Sequence, residues 1–374
     1  MKILHAFPSK PSRAGLNDQR RPTPSPLKGE REAATDVTLQ FPPLWTPKHI
    51  TRMKPKVFLT RRMPPAVMER LERETDLAWH SEDRVATKTE IIAGMKGRVG
   101  LLCNILDRVD AELLDSCPGL KVVANFGVGF NNIDVAAAIA RKIPVTNTPG
   151  VLTDTTADMA FTLMLAVARR LGEGERLVRA QQWTGWQPLQ LLGADVTGAT
   201  LGILGFGRIG RAVAHRAQAF DMRVIYWNRT RLPASEEAGA TYANFDDVLR
   251  ESDFVSLHVA YNSETHHHLG EKQFALMKPT AFVINTARGA VIDEPALVQA
   301  LRTKRIAGAG LDVFEREPQL EPGLCELENV VLAPHLGSAT IGTRTKMGMI
   351  AVDNLLAVCA GQRPPNCVNP QVFG

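Results

Sequence analysis

From Lys56 onward, short apolar runs alternate with stretches in which apolar residues recur every three or four positions. The first pattern predicts strands and the second predicts helices. On this reading KVFLT (56–60) is a strand and Pro64–Thr75 a helix. Further strands are expected at Gly100–Cys103, Val122–Asn125 and Pro144–Thr146, with helices between them. A long helix is expected from Thr153-Asp154, either of which can cap it, through MAFTLMLAVARRL. Strands then recur at Thr200–Leu204, Met222–Trp227, Phe254–Leu257, Ala281–Asn285, Gly308–Asp312 and Val330–Ala333. After Gly337 a second long helix is expected to end near Ala360. Alternation of this kind implies doubly wound parallel sheets, an α/β fold. At 374 residues the chain is too long for one compact core, so two domains are expected.

Residues 1–52 break the pattern. They hold eight of the 24 prolines and no sustained apolar period, so a disordered leader is expected. Asp18, Glu30, Glu32 and Asp36 argue against a transit peptide, and no apolar core suits a secretory signal. Met53 is the expected natural start. The leader carries nine Lys/Arg against four Asp/Glu, which accounts for the whole net charge of +5. The neutral remainder gives no electrostatic case for nucleic acid or an anionic membrane. No apolar run approaches a membrane span. The five cysteines are odd in number and lack metal-type spacing, which fits a reducing cytoplasm.

The run LGILGFGRIGRAV carries the clearest chemistry. Gly205, Gly207 and Gly210 stand as G-x-G-x-x-G between a predicted strand and a helix in which Ile209, Val213 and Ala217 share a face. In a dinucleotide-binding unit the first glycine makes the turn and the second admits a pyrophosphate. The third lets helix and strand pack closely. The helix start then faces an anion. An NAD-binding unit usually carries an Asp or Glu at the end of the next strand, for the ribose hydroxyls. Here that position reads Asn228-Arg229-Thr230-Arg231. No carboxylate repels a 2′-phosphate and two guanidinium groups can bind one, so NADP(H) is expected ahead of NAD(H).

Three more motifs fall at predicted strand ends, where open α/β sheets hold ligands. They are INTARG with Arg288, GLDVFEREP with Asp312 and Glu317, and APHLGS with His335. With the glycine turn, they make residues 55–370 resemble the D-isomer-specific 2-hydroxyacid dehydrogenases, and within them the glyoxylate/hydroxypyruvate reductase (glycerate dehydrogenase) branch. The resemblance implies a Rossmann-type cofactor domain over 153–336. It also implies a flavodoxin-like substrate domain from 53–152 and 337–374, with a cleft between the two. It implies that Arg288 holds the substrate carboxylate and polarises the keto oxygen, that His335 donates the proton, and that Glu317 pairs with the histidine. Asp312 is expected at the nicotinamide amide. Arg208, Ile209, Thr286, Ala287 and Gly337 complete the expected cofactor contacts. In GVGFNNID, Val128 and Gly129 are expected to receive the carboxylate on their backbone, and Leu102 and Cys103 to line the pocket.

The residue types suit that chemistry independently. Hydride transfer to a 2-keto acid builds negative charge on the carbonyl oxygen, which a fixed cation and a nearby acid stabilise. A carboxylate beside a histidine favours the imidazolium, a usable general acid near neutrality. The expected activity is therefore NADPH-dependent reduction of glyoxylate or hydroxypyruvate. One rival is another 2-ketoacid reductase, a 2-ketogluconate reductase or a phosphoglycerate dehydrogenase. Against many of the latter, no regulatory domain is apparent. The other rival is a binding protein on the same fold, like the transcriptional corepressors. No metal site is expected. His266-His267-His268 reads as a solvated turn, because consecutive residues do not face one ligand on a helix or strand. A homodimer is expected, in which Trp186 of QWTGWQP reaches the neighbouring subunit. The apolar helix Thr155–Leu171 fits a dimer interface or an interdomain core. Ala260 in LHVAYNS is a departure, since relatives often carry proline there.

Overall fold

A computed structural model describes residues 53–374, and the expected leader lies outside the described residues. The first parallel sheet contains β1 (Lys56–Leu59), β2 (Asp76–Trp79), β3 (Gly100–Asn104), β4 (Val122–Phe126) and β5 (Val145–Thr146) in the order β2-β1-β3-β4-β5. The second contains β6 (Thr200–Leu204), β7 (Arg223–Trp227), β8 (Thr241–Tyr242), β9 (Phe254–Leu257), β10 (Phe282–Asn285), β11 (Gly308–Leu311) and β12 (Val330–Leu332). Its order is β12-β11-β10-β9-β6-β7-β8. These are the flavodoxin-like and Rossmann orders, so the chain has two α/β parallel-sheet domains.

Helices α1 (Pro65–Glu74), α2 (Lys88–Gly94), α3 (Ala111–Asp115) and α4 (Val135–Ala140) connect the strands of the first sheet. Then come α5 (Thr153–Ala168) and α6 (Leu171–Arg179). Helices α7 (Arg208–Gln218), α8 (Phe245–Glu251), α9 (Glu271–Leu276) and α10 (Glu294–Arg302) join strands of the second sheet, and α11 (Ile341–Cys359) closes the chain. It packs on β4 and α1, so the C-terminal helix returns to the first sheet. Thr340 caps it by accepting the Thr343 N–H at 3.1 Å.

The inner strands β4, β9 and β10 are almost wholly buried, as parallel strands covered on both faces should be. Helix α5 buries Ala157, Ala160, Leu163, Met164 and Val167, and packs against β10, β11 and α7. This apolar helix thus lies in the core built on the second sheet. Gly310 on β11 permits the close approach, since a Cβ there would lie 2.9 Å from Leu163. Two local expectations differ. Leu152 precedes α5 and no side chain caps it, so neither Thr153 nor Asp154 acts as the cap. The helix also stops early, because Arg170 adopts a left-handed φ of 51° and α6 starts anew.

Candidate active site

The glycine turn joins β6 to α7. Gly205 has φ +93°, and a Cβ on it would lie 2.6 Å from the His258–Val259 peptide at the end of β9. A Cβ on Gly210 would strike the Gly205 carbonyl. Gly207 is different. Its φ of −77° is ordinary, and a Cβ there would meet nothing within 4 Å. Its bareness leaves room outside the protein, at the start of an eleven-residue helix with no acidic residue in its first turn. Nearby, Thr286 Oγ1 is buried and has no hydrogen-bond partner among the described residues. A dinucleotide fits both features, filling the space over Gly207 and offering the threonine a partner.

Arg288 follows β10. Its Nε donates to Asn131 Oδ1 at 3.0 Å and its Nη1 to the Ala287 carbonyl at 2.7 Å. A Cβ on Gly129 would occupy the position of the Arg288 guanidinium. Burial lowers the pKa of Arg288 from its ordinary value, and the Glu317 charge opposes that shift. An arginine stays charged throughout. The loop beneath it is pinned by its carbonyls. Asn147 Nδ2 donates to the Val128 carbonyl at 2.9 Å and Asn125 Nδ2 to the Gly129 carbonyl at 2.8 Å.

His335 lies in the segment after β12, with a left-handed φ of 55°. Three bonds to Asp312 fix that segment. The Asp312 carbonyl accepts the His335 N–H at 2.9 Å, and its carboxylate accepts the Leu336 and Gly337 N–H groups at 2.6 and 2.7 Å. Burial raises the Asp312 pKa against these bonds. The His335 Nδ1 faces Glu317 Oε2 at 3.0 Å, and Glu317 Oε1 accepts the Phe314 N–H at 3.0 Å. Burial alone would raise the Glu317 pKa. The hydrogen bond and charge of His335, the Phe314 N–H and the Arg288 charge outweigh burial and hold the carboxyl below its ordinary range.

These groups line one cleft of about 1000 Å³. It gathers Cys103, Val128, Gly129, Arg208, Ile209, Thr286, Ala287, Arg288, Asp312, Glu317, His335 and Gly337 from both sheets. Residues 161–337 match the family model described as "D-isomer specific 2-hydroxyacid dehydrogenase, NAD binding domain". The glyoxylate reductase of Thermococcus litoralis is 49% identical over 326 residues, covering 86% of this chain and 98% of that protein. That of Korarchaeum cryptofilum is 48% identical over 323 residues, covering 86% and 97%. The chain belongs to the D-isomer-specific 2-hydroxyacid dehydrogenases. Solved structures agree. The NADPH-dependent glyoxylate/hydroxypyruvate reductase of Sinorhizobium meliloti, in complex with NADP and malonate, is 34% identical with a TM-score of 0.77, covering 85% of this chain and 97% of that one. A glyoxylate reductase from Paecilomyes thermophila is 36% identical with a TM-score of 0.76, covering 85% and 99%.

As a member of this oxidoreductase family, the chain has an NAD(P)-binding domain, and two sets of expected contacts lie outside the cleft lining. The side chain of Leu102 does not line the cleft. It is fully buried in the core with Val57, Leu59 and Val122, because strand alternation turns it to the face opposite Cys103. Asn228, Arg229, Thr230 and Arg231 lie beyond the cleft lining, after β7. Both arginines are already paired. Arg229 Nη1 lies 2.9 Å from Glu264 Oε2, both well exposed, and Arg231 Nε lies 2.9 Å from Glu237 Oε1. Glu237 also accepts the Tyr226 hydroxyl at 2.9 Å, and the Arg231 guanidinium sits over the Tyr242 ring. Asn228 Nδ2 donates to the Thr230 carbonyl at 3.0 Å.

Among the cleft residues that sequence reasoning missed, two bear on the site. Asn131 orients Arg288 from 157 positions away, which no local pattern reveals. His258 borders the cleft at the end of β9, its Nε2 2.8 Å from Ser256 Oγ, and the surrounding protein lowers its pKa to about 3. Among the described residues, no helix is long and apolar enough to cross a membrane.

Proposed function

We propose that this dehydrogenase reduces glyoxylate, hydroxypyruvate or both to the D-2-hydroxy acid, with NADPH preferred. The observation that carries the reading is the convergence of Arg288 and the His335–Glu317 pair on the cleft that also receives Arg208 and Ile209 of the nucleotide turn. Arg288 binds the substrate carboxylate and polarises the keto oxygen from a position fixed by Asn131. The backbone N–H groups of Val128 and Gly129 receive the same carboxylate. The nicotinamide cofactor, when bound, supplies the hydride. His335 gives its proton to the keto oxygen as charge develops there, and Glu317 holds the imidazole in orientation. Asp312 fixes the His335–Gly337 segment and keeps lone pairs for an amide. The close approach of Arg288 to Gly129 supports a small substrate, since it leaves no side chain between them.

The NADPH preference rests on Arg229. Its pair with Glu264 is exposed, and such pairs contribute little, so a 2′-phosphate can take Glu264's place. Arg231 is held by Glu237 and Tyr242 and is the weaker contributor. The arm after α6 exposes Trp183, Trp186, Leu189 and Leu192, with Trp186 82% exposed. We read it as the contact surface of a homodimer, and the enzyme as cytoplasmic from its cysteine usage. The deciding experiment measures kcat/KM on a panel of 2-keto acids with NADPH and NADH side by side. Highest values for glyoxylate or hydroxypyruvate with NADPH support the reading. A clear preference for 2-ketogluconate or a phosphorylated acid overturns it.

A further inference from the structure

One cluster outside the cleft has chemistry that hydride transfer does not use. In the turn after β9, His267 adopts a left-handed φ of 48°. That conformation brings consecutive side chains to the same side, and the His266 and His267 rings stack with centroids 3.9 Å apart. His268 turns inward instead, against Trp227 and Phe245. A ring nitrogen from each of His266 and His267 and an oxygen of Glu315 all lie within 4.8 Å of one another. His267 Nε2 is 2.9 Å from Glu315 Oε1, and its Nδ1 is 4.0 Å from Asp293 Oδ2. His266 Nδ1 faces the Tyr261 hydroxyl at 3.4 Å, which leaves its Nε2 as the other ligand atom.

We propose that His266, His267 and Glu315 bind a divalent transition-metal ion of the zinc class, with water completing the coordination. Two imidazoles and a carboxylate form the borderline nitrogen–oxygen donor set such ions take. Bonds of about 2.0–2.2 Å at a tetrahedral angle separate two donors by about 3.3–3.6 Å. His267 and Glu315 therefore need to part by only a few tenths of an ångström, and the proton they share goes to solvent as the ion enters. Asp293 and Tyr261 stand behind the ligating rings, where outer partners orient metal-bound histidines. Glu294 braces the same segment, its Oε1 accepting the Glu315 N–H at 2.8 Å. The His267 N–H donates to the Ala290 carbonyl at 2.9 Å. The ion would thus tie the turn after β9 to the segments that carry Arg288 and Glu317, and would stabilise them without touching substrate.

The test uses the full chain, freed of metal by chelator and titrated with zinc chloride in a calorimeter. The expected result is one equivalent bound with micromolar or tighter affinity and a raised Tm. H266A and E315Q should each weaken binding at least about tenfold, the scale at which even outer partners matter. Cobalt(II) in the same site should show visible bands without the near-ultraviolet band of a thiolate ligand. Absence of binding, a thiolate band, or affinity unchanged in both variants would place the ion elsewhere and overturn the proposal. So would loss of binding in H80A alone, which alters the separate His80–Glu82–Glu90 group.

Discussion

The guanidinium of Arg288 lies directly against the α-carbon of Gly129, in the space a Cβ would need. The two residues belong to different sheets' loops, one after β4 and one after β10. Gly129 therefore sets how close the cation can come to the floor of the site. Gly129→Ala should displace Arg288 while leaving the nucleotide turn untouched. The expected outcome is a KM for the keto acid raised and a kcat lowered, together about 10²-fold in kcat/KM, the cost of an ångström of misplacement. Nucleotide affinity, read by fluorescence titration, should stay within twofold. Unchanged kcat/KM would mean that Arg288 has slack the structure does not show.

On the proposed reading, Glu264 and the 2′-phosphate of NADPH would compete for Arg229. A charged hydrogen bond contributes about 1.5–3 kcal/mol, so Arg229→Ala should raise the NADPH KM by about tenfold or more and leave that for NADH nearly unchanged. Glu264→Gln should act in the opposite sense. Removing an exposed partner frees about 0.2–1 kcal/mol, so the NADPH KM should fall by up to about fivefold. Arg231→Ala should do less than Arg229→Ala. Equal losses with both cofactors would assign Arg229 to the fold instead of the phosphate.

The parts of this site legible in the sequence are those whose cause is local. Gly205, through its left-handed φ, and Gly210, against the Gly205 carbonyl, answer demands within one strand–turn–helix unit, and Gly207 keeps the space above the turn open; the local pattern shows all three. Arg288, Glu317 and His335 follow strands that the apolar runs reveal. Edge strands β2 and β8 were not legible, because DLAW is half exposed and TY is too short to show a period. Leu102 and Cys103 illustrate a finer limit. The strand is obvious, but which residue faces the cleft depends on the register of a sheet closed by distant segments. The Glu264 and Glu237 partners of the arginines come from loops that only the fold brings near. The side-by-side histidines depend on one left-handed residue, His267, at a position where sequence gives no reason to expect it.

His258 makes stability sensitive to acid. Enclosure lowers its pKa from 6.5 to about 3 in the folded protein. Between those values the unfolded chain holds a proton that the folded chain lacks, so stability is full above about pH 6.5 and falls as pH drops through the window. The slope from this one group is at most about 1.4 kcal/mol per pH unit. His258→Asn should flatten the decline of the urea midpoint between pH 6.5 and 4.5, at some cost near neutrality from the lost Ser256 contact. Parallel declines in both proteins would show that other groups set the acid limit.

The His335–Glu317 pair tests the mechanism as a whole. If His335 protonates the keto oxygen, His335→Gln should lower kcat by about 10²–10⁴, the range for loss of a general acid. NADPH binding should barely change, because Gly205, Gly207 and Arg229 are untouched. Glu317→Gln should be gentler, since the amide can still hold the ring through its oxygen. The carboxyl of Glu317 is held low by His335, Phe314 and Arg288, so in the parent enzyme it stays ionised across the neutral range and does not itself set a pH limit there. Its removal takes away the charged acceptor that orients the ring, so kcat should fall while the keto-acid KM changes little. Arg288→Ala should damage kcat and KM together, because it orients the ground state as well as the developing oxyanion. A deuteride isotope effect must accompany these rates, to show that chemistry limits turnover. A His335→Gln enzyme with near-normal kcat and a full isotope effect would assign the proton to another acid and remove His335 from the reaction.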